Sequence, residues 1–508
     1  MTQATRLTVT ARVSTGTLQR PVPTSLRRQL GALGAAVFAT SVLWTTSAFG
    51  QVAKVLDKLN EPWSRVVEEN KSWKPILTAA LDITESPKPI DAKFDLASIW
   101  PGMDKWSDWS AWAEKNAAMG KALLANQDKI AFCMPYGEEK LDQALRSKGF
   151  SITINLEADG KKTTFGYFKA IATINAYAVA EMYRLGEAGK FEEAFALGIA
   201  SAKVLRQLAD QTMLDEKLFA LDSLSTVLSI HRDFAYTYLE KIPADLFRKV
   251  GSKDYPLIRP QDGERLRRLE MPEGDRFVAE GVLGRCFDDR GQPSEALFAD
   301  VFAGLQSQGA ELTRFGAAKR WSKIATLHGS LDASVKILNE VYDDWWRRWR
   351  YRPYDPATLV PTRLSQLNSI RYAAVLLAVI DINDAFKARL RTSADLNGTA
   401  TAIAVCGYKR ANGQWPDDIE KAFPIFGQKR LNFDPYDRDF GTLLYKDLGT
   451  GERRIDTPQG NVTATGCLIY ARGVNNEDDG AKTSDPTAEA YDVLYWPPLR
   501  AVSRSSKG

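Results

Sequence analysis

Few residues in this chain combine a type and a spacing that could do chemistry. The most concentrated set is the stretch GVNNEDDG, residues 473–480, where Asn475, Asn476, Glu477, Asp478 and Asp479 all carry side-chain oxygen. Calcium is a hard cation that takes 6 to 8 oxygen ligands, and such a loop could supply several of them. An EF-hand frame would set Gly480 at loop position six and Pro486 at position twelve, where a bidentate glutamate is required, so that frame is rejected. Histidine chemistry is scarce. There are two, His231 and His328, and no HExxH motif. His231 falls on the apolar stripe of a predicted helix, which marks a core histidine. GxGxxG, P-loop and GxSxG signatures are absent. The 63 acidic residues leave room for a carboxylate-pair hydrolase, but no pair stands out.

Two aromatic motifs could bind rather than react. Trp106, Trp109 and Trp112 recur every third residue on one helical stripe. Such a stripe can stack on sugars, but large rings at helical spacing belong to the core first. In DDWWRRWRYR, residues 343–352, helical spacing puts Trp345 and Trp349 on one face and Arg347 and Arg350 near the other. Alternating rings and guanidinium groups suit glycan, lipid headgroups or single-stranded nucleic acid. The plainer reading is a helix end with both tryptophans buried and the arginines on solvent or paired with Asp343 and Asp344.

The elements that must position these groups begin after an N-terminal segment of 50 residues. It contains Arg6, Arg12, Arg20, Arg27 and Arg28 but no acid or lysine, an apolar run from Leu30 to Trp44, and small residues ending Ala48-Phe49-Gly50. That is the layout of a secretory signal cleaved before Gln51. An uncleaved anchor is the alternative, although about 15 apolar residues are short for a span. Arg27-Arg28 also hints at twin-arginine export. Taking these five arginines from the 67 basic residues leaves 62 against 63 acidic ones, so the remaining chain has no global basic signal for nucleic acid. Four cysteines follow, Cys133, Cys286, Cys406 and Cys467, none in a CxxC. Export allows pairing, and Cys406–Cys467 is the attractive pair because both fall in one small predicted domain. Its loop of about 60 residues would contribute roughly 4 kcal/mol in the chain-entropy model. Buried free thiols are the other reading.

The fold class read from the pattern is mainly α: an antiparallel helical body over 51–395, then a small α+β tail over 396–500, with 501–508 disordered. In the body, Tyr167, Ile171, Ile174, Ala178, Met182 and Leu185 mark one amphipathic helix. The GEAGKFEEAF turn opens a second, and Leu214 to His231 a third. Short connections make them antiparallel neighbours. A helix is expected over 295–308, another over 316–350, and a long one from Leu364 to Leu390 around RYAAVLLAVI. The tail opens with a helix ending at an Asn-Gly turn. Strands follow in GTLLYKDL, ERRIDTP, ATGCLIYAR and YDVLYW.

Four tail motifs, YKRANGQWP, FDPYDRDFGTLLY, LIYARGVNNEDDG and AYDVLYW, follow one another over roughly residues 398–498. In this order they resemble the C-terminal domain of type II secretion major pseudopilins. The resemblance implies a helix packed on a small antiparallel sheet, with calcium in the last loop. Carried over, the family's loop aspartate falls on Asn475 and its later one on Asp492, with Trp496 closing the motif. Ala471 stands where the family has serine, and the loop is longer. The pilin N-terminus, a short leader with a long apolar helix, is missing. The calcium ligands expected on this basis are Asp492, Asn475 and members of the set Asp478, Asp479 and Asp485. A solvated acidic turn is the other reading of the loop. The whole layout resembles uncharacterised exported bacterial proteins with a helical body and a pseudopilin-like tail. The function expected is a non-enzymatic binding or scaffold protein of the cell envelope, periplasmic or extracellular. Its partner would be an envelope protein or glycan rather than nucleic acid, and the exported chain would carry no transmembrane span. The second function carried is a carboxylate-pair hydrolase acting on envelope polymers.

Overall fold

The computed structural model describes residues 50–154, 156, 163–252, 269–307, 314–351, 355–457, 460–483 and 491–505. The predicted signal segment, residues 1–50, lies outside them apart from Gly50. By internal contacts the chain divides at residue 51, and residues 52–508 form one unit. Among the described residues no helix is long and apolar enough to cross a membrane.

Helix dominates that unit. The first tryptophan stripe forms α1 (Trp106–Lys115), followed by α2 (Ala117–Asn126). Trp109 and Trp112 are buried as core, while Trp106 stays half-buried and donates its Nε1–H to Glu187. The three amphipathic helices appear as α3 (Phe168–Glu187), α4 (Phe191–Leu208) and α5 (Leu214–Thr237), each packed on the next. Ala and Gly on their facing sides permit close approach. A Cβ on Gly198, for example, would stand 2.5 Å from His231 Nε2. A short helix, α6 (Ala244–Gly251), completes this layer.

The expected helix over 316–350 is two helices, Arg314–Ala325 and α7 (Leu331–Arg350). The break falls where Ser330 caps α7, its Oγ accepting from Ala333 N at 3.3 Å. The expected long helix from Leu364 to Leu390 is also absent. A short helix covers Ala373–Ala378, and the 30-residue helix α8 runs over Asn383–Asn412. Asp381 precedes the new start and its carboxylate accepts from the backbone N–H of Asn383 at 3.0 Å, while Ile382 stands at the N-cap without a side-chain cap. Gly413 ends α8 in the left-handed region, φ 75°, as the Asn-Gly turn predicts.

The tail sheet has three antiparallel strands in sequential order: β1 (Leu444–Thr457), β2 (Gly460–Ala471) and β3 (Val493–Trp496). The two strands expected in GTLLYKDL and ERRIDTP are one strand with a register shift between Asp447 and Glu452. A helix packed on an antiparallel sheet is therefore present, since α8 packs on β2 and β3 as well as on α5 and α6. One continuous buried cluster includes Leu59, Phe195, Trp345, Cys406, Ile469 and Trp496, so body and tail share a core. A close approach between the two is at Gly251 of α6, where a Cβ would stand 1.9 Å from Phe426 O.

Of the end expected to be disordered, residues 501–505 are helical, within Leu499–Ser505 (α9), and 506–508 lie outside the described residues. Ala501 and Val502 are buried, and the Arg504 guanidinium lies over Trp100 at 4.8 Å and donates to Ala97 O. The expected Cys406–Cys467 bridge is not made. All four cysteines are buried free thiols, with no pair at bonding distance. Burial pushes the Cys406 thiol up, and Cys467 adds to that effect. Cys467 instead shares a hydrogen bond with the Tyr445 hydroxyl.

Candidate functional site

The acidic loop leaves β2 at Gly473 and returns at β3. Its backbone is held by side chains of its own. Asn475 Oδ1 accepts from Glu477 N at 3.1 Å, and Asp478 Oδ1 accepts from Gly480 N at 2.9 Å and from the Tyr470 hydroxyl at 3.1 Å. Asn475 Nδ2 donates to Asp479 Oδ2 at 2.8 Å. Arg453, reaching from β1, donates to Gly480 O. Asp492 lies beneath, 2% exposed, with Oδ2 accepting from Ala481 N at 2.6 Å and Oδ1 buried without a partner. Burial pushes its carboxyl up to about 7, with Asp478 and Asp479 adding to the rise.

This set does not fit the implied calcium. Asp478 and Asp479 are each engaged by donors of the loop, and a guanidinium sits on the carbonyl of Gly480. No group of three or more His, Cys, Asp or Glu among the described residues could hold a metal ion. Asp485, also expected as a ligand, lies outside the described residues. Asp492 Oδ1 is a buried oxygen of this set without a hydrogen-bond partner.

The preceding motif, FDPYDRDFG, has a structural task. Asp434, fully buried, accepts from Tyr436 N and from Arg472 N, both at 2.9 Å. Arg472 in turn holds Asp437. Burial pushes Asp434 up to about 6. This ties the DPYD turn to the end of β2. Its sequence signal was the Asp-Pro-x-Asp spacing, but the arginine partner stands 38 residues away.

The densest buried polar site was missed by sequence reading because its members lie far apart. Glu216 of α5 is fully buried and accepts from the Tyr136 and Tyr167 hydroxyls, each at 2.5 Å, and from Gln211 Nε2 at 3.1 Å. Burial pushes its carboxyl up, and these donors oppose the shift. Its neighbour Lys217 is also fully buried, donates to Ala209 O at 3.0 Å, and is lowered to about 8 by burial. With no path to solvent, this is a joint between the 131–136 segment, α3 and α5. His231 is a core histidine as expected. It is fully buried, with Nδ1 2.7 Å from Val227 O, and lowered to about 4 by burial. His328 Nε2 accepts from Ala374 N at 3.2 Å, which leaves Nδ1 to donate to Gly329 O.

The surface of α7 carries the remaining features. Trp345 and Trp349 are buried, as their spacing implies, and Asp344 pairs with Arg348. Trp346 is exposed with the Arg350 guanidinium 3.5 Å above its ring. An open groove of about 490 Å³ runs along the helix past Asp332, Lys336, Glu340 and Asp343. A carboxylate-pair hydrolase would use such acids, but Glu340 is held by Arg363 at 2.7 Å.

Comparison of the chain with protein-family models, with curated proteins and with solved structures finds no match, so the reading of function rests on the residues and their geometry.

Proposed function

We propose that this chain is an exported, non-enzymatic scaffold or binding protein of the cell envelope. The observation that carries the reading is the shared core. Helix α8 packs on α5, on α6 and on the tail sheet, so body and tail act as one rigid platform. The most deeply buried ionisable groups, Glu216, Lys217, Asp434 and His231, are held by internal hydrogen bonds within that platform. The N-terminal arginines, apolar run and small residues support export. The order of the tail motifs and the helix-on-sheet packing support the pseudopilin-like reading of residues 396–500.

The test is fractionation of the native host with N-terminal sequencing, followed by crosslinking in intact cells. The expected result is a chain beginning near Gln51 in the envelope fraction, crosslinked to an envelope protein or glycan. Met1 intact in the cytoplasm would overturn the reading. Hydrolysis of an envelope polymer, lost when Asp332 or Asp343 is replaced by Asn, would favour the enzyme.

A further inference from the structure

We propose that the C-terminal end of α7 and the loop over 355–361 dock on an anionic lipid headgroup layer, a partner surface that rests on the envelope reading above. The loop is fixed from below by one side chain. Arg348 donates to Val360 O at 2.8 Å and Pro361 O at 3.2 Å, with longer contacts to Ala357 O at 3.5 Å and Thr358 O at 3.4 Å. Asp344 orients that guanidinium at 3.0 Å. Asp355 caps the short helix Pro356–Leu359 through Ala357 N at 2.9 Å. The backbone is thus held in a shape that leaves Leu359 85% and Val360 56% exposed. These are adjacent branched side chains, not scattered surface residues, and the Arg348 bonds hold the backbone that carries them.

The charges beside this pair select the occupant. Two nearby acids are engaged: Asp344 by Arg348 and by Arg363 N, and Glu340 by Arg363. Arg347 and Arg350 are exposed on the last turns of α7, with Trp346 on its far flank under Arg350. Apolar side chains for the acyl boundary, a tryptophan for the interface and guanidinium groups for phosphate are the combination that holds a protein on an anionic membrane surface. Arginines also suit the C-terminal end of a helix, but that does not account for the exposed Leu359 and Val360.

The test is flotation of the chain purified from its native host with vesicles of phosphatidylglycerol and phosphatidylcholine, and with phosphatidylcholine alone. Two double variants are compared, Leu359→Ser with Val360→Ser, and Arg347→Glu with Arg350→Glu. All four positions are exposed, and unchanged thermal melting confirms that the fold is kept. Anionic vesicles should bind the chain, and each double variant should weaken binding about tenfold or more. Salt should weaken the native chain and spare the arginine variant. No flotation with anionic vesicles, equal flotation of both variants, or binding to isolated cell-wall glycan in preference to vesicles would overturn the proposal. A chain found in the cytoplasm that still floats would sink the envelope reading and leave the docking surface standing. An envelope chain that does not float would do the reverse.

Discussion

Glu216 and Asp492 are both buried carboxylates, and they are served differently. Glu216 receives three side-chain donors from three other stretches of chain. Asp492 receives the N–H of Ala481 on one oxygen and leaves the other unpartnered. Sequence attention goes to the second, because acids crowd its loop. The first, with three donors, stands in an ordinary amphipathic helix beside a lysine. A run of acids signals a solvated or ligand-binding turn, but a buried carboxylate is stabilised by donors brought from elsewhere in the fold.

If that contrast is right, Glu216→Ala should be the most damaging of the substitutions considered. It leaves the Tyr167 hydroxyl without an acceptor in a dry site and takes one acceptor each from Tyr136 and Gln211, which keep Thr212 Oγ1 and Met134 O. The expected loss is about 4 kcal/mol, read from urea denaturation with an unchanged slope. A loss under ~1 kcal/mol would show that the joint is not a structural support. Glu216→Gln, which keeps one acceptor, should fall between.

The packing of α8 on the tail sheet is tested at Gly398. A methyl group there would meet the Tyr495 ring at 2.2 Å, so helix and sheet would have to part. Gly398→Ala should cost about 2 kcal/mol net of the gain in helix propensity, and combining it with Tyr495→Ala should cost less than the sum of the two. Strict additivity would show that α8 and β3 do not pack on each other at this point.

These two sites also show what could be read from the sequence. Periodicity carried α3, α4 and α5, because their apolar positions repeat over several turns and nothing interrupts them. It failed over 316–390, where Ser330 starts a new helix through a single side-chain cap and α8 starts at Asn383 without one. Alternation carried the strands but split β1 in two, because a register shift hides in the glycine-rich DLGTGE stretch. The loop acids were found by composition, and Asp492 by the motif resemblance. The Tyr136–Glu216–Tyr167 joint and the Arg348 clamp had no local signal, because each depends on pairs that tertiary packing alone brings together. The end helix α9 was lost to its polar, serine-rich composition, and its anchors Trp100 and Ala97 lie some 400 residues earlier.

Burial gives Asp492 a pH signature. Its folded pKa, about 7, stands above the unfolded value, so the stability it lends is fully present below about pH 4 and is lost as pH rises through 7. Compared with an Asp492→Asn variant, the native chain should lose about 2 kcal/mol between pH 5 and 8. His231 runs the opposite way. Its folded value, about 4, stands below the unfolded one, so its contribution is present above pH 6.5 and lost on acidification. Using the variant difference keeps the two apart. An Asn variant with the same pH profile as the native chain would remove Asp492 from the comparison.

The smallest expected effect concerns calcium. A resident cation beside Asp492 would hold its carboxyl ionised and well below 7, reversing the sign of the pH dependence just given. It would also make stability depend on the free ion, by roughly 2.7 kcal/mol at 100 times the dissociation constant. The loop instead closes through Asn475 on Asp479, Tyr470 on Asp478 and Arg453 on Gly480, with a guanidinium supplying positive charge at the turn. Millimolar calcium and chelator should therefore give melting midpoints within about a degree of each other. The same measurement on Arg453→Ala sharpens the point. If arginine serves where a cation would, its loss should destabilise the sheet by about 1 kcal/mol without creating calcium dependence. A calcium-dependent rise in the native chain that vanishes in Asp492→Asn would restore the metal loop and assign the unpartnered oxygen to it.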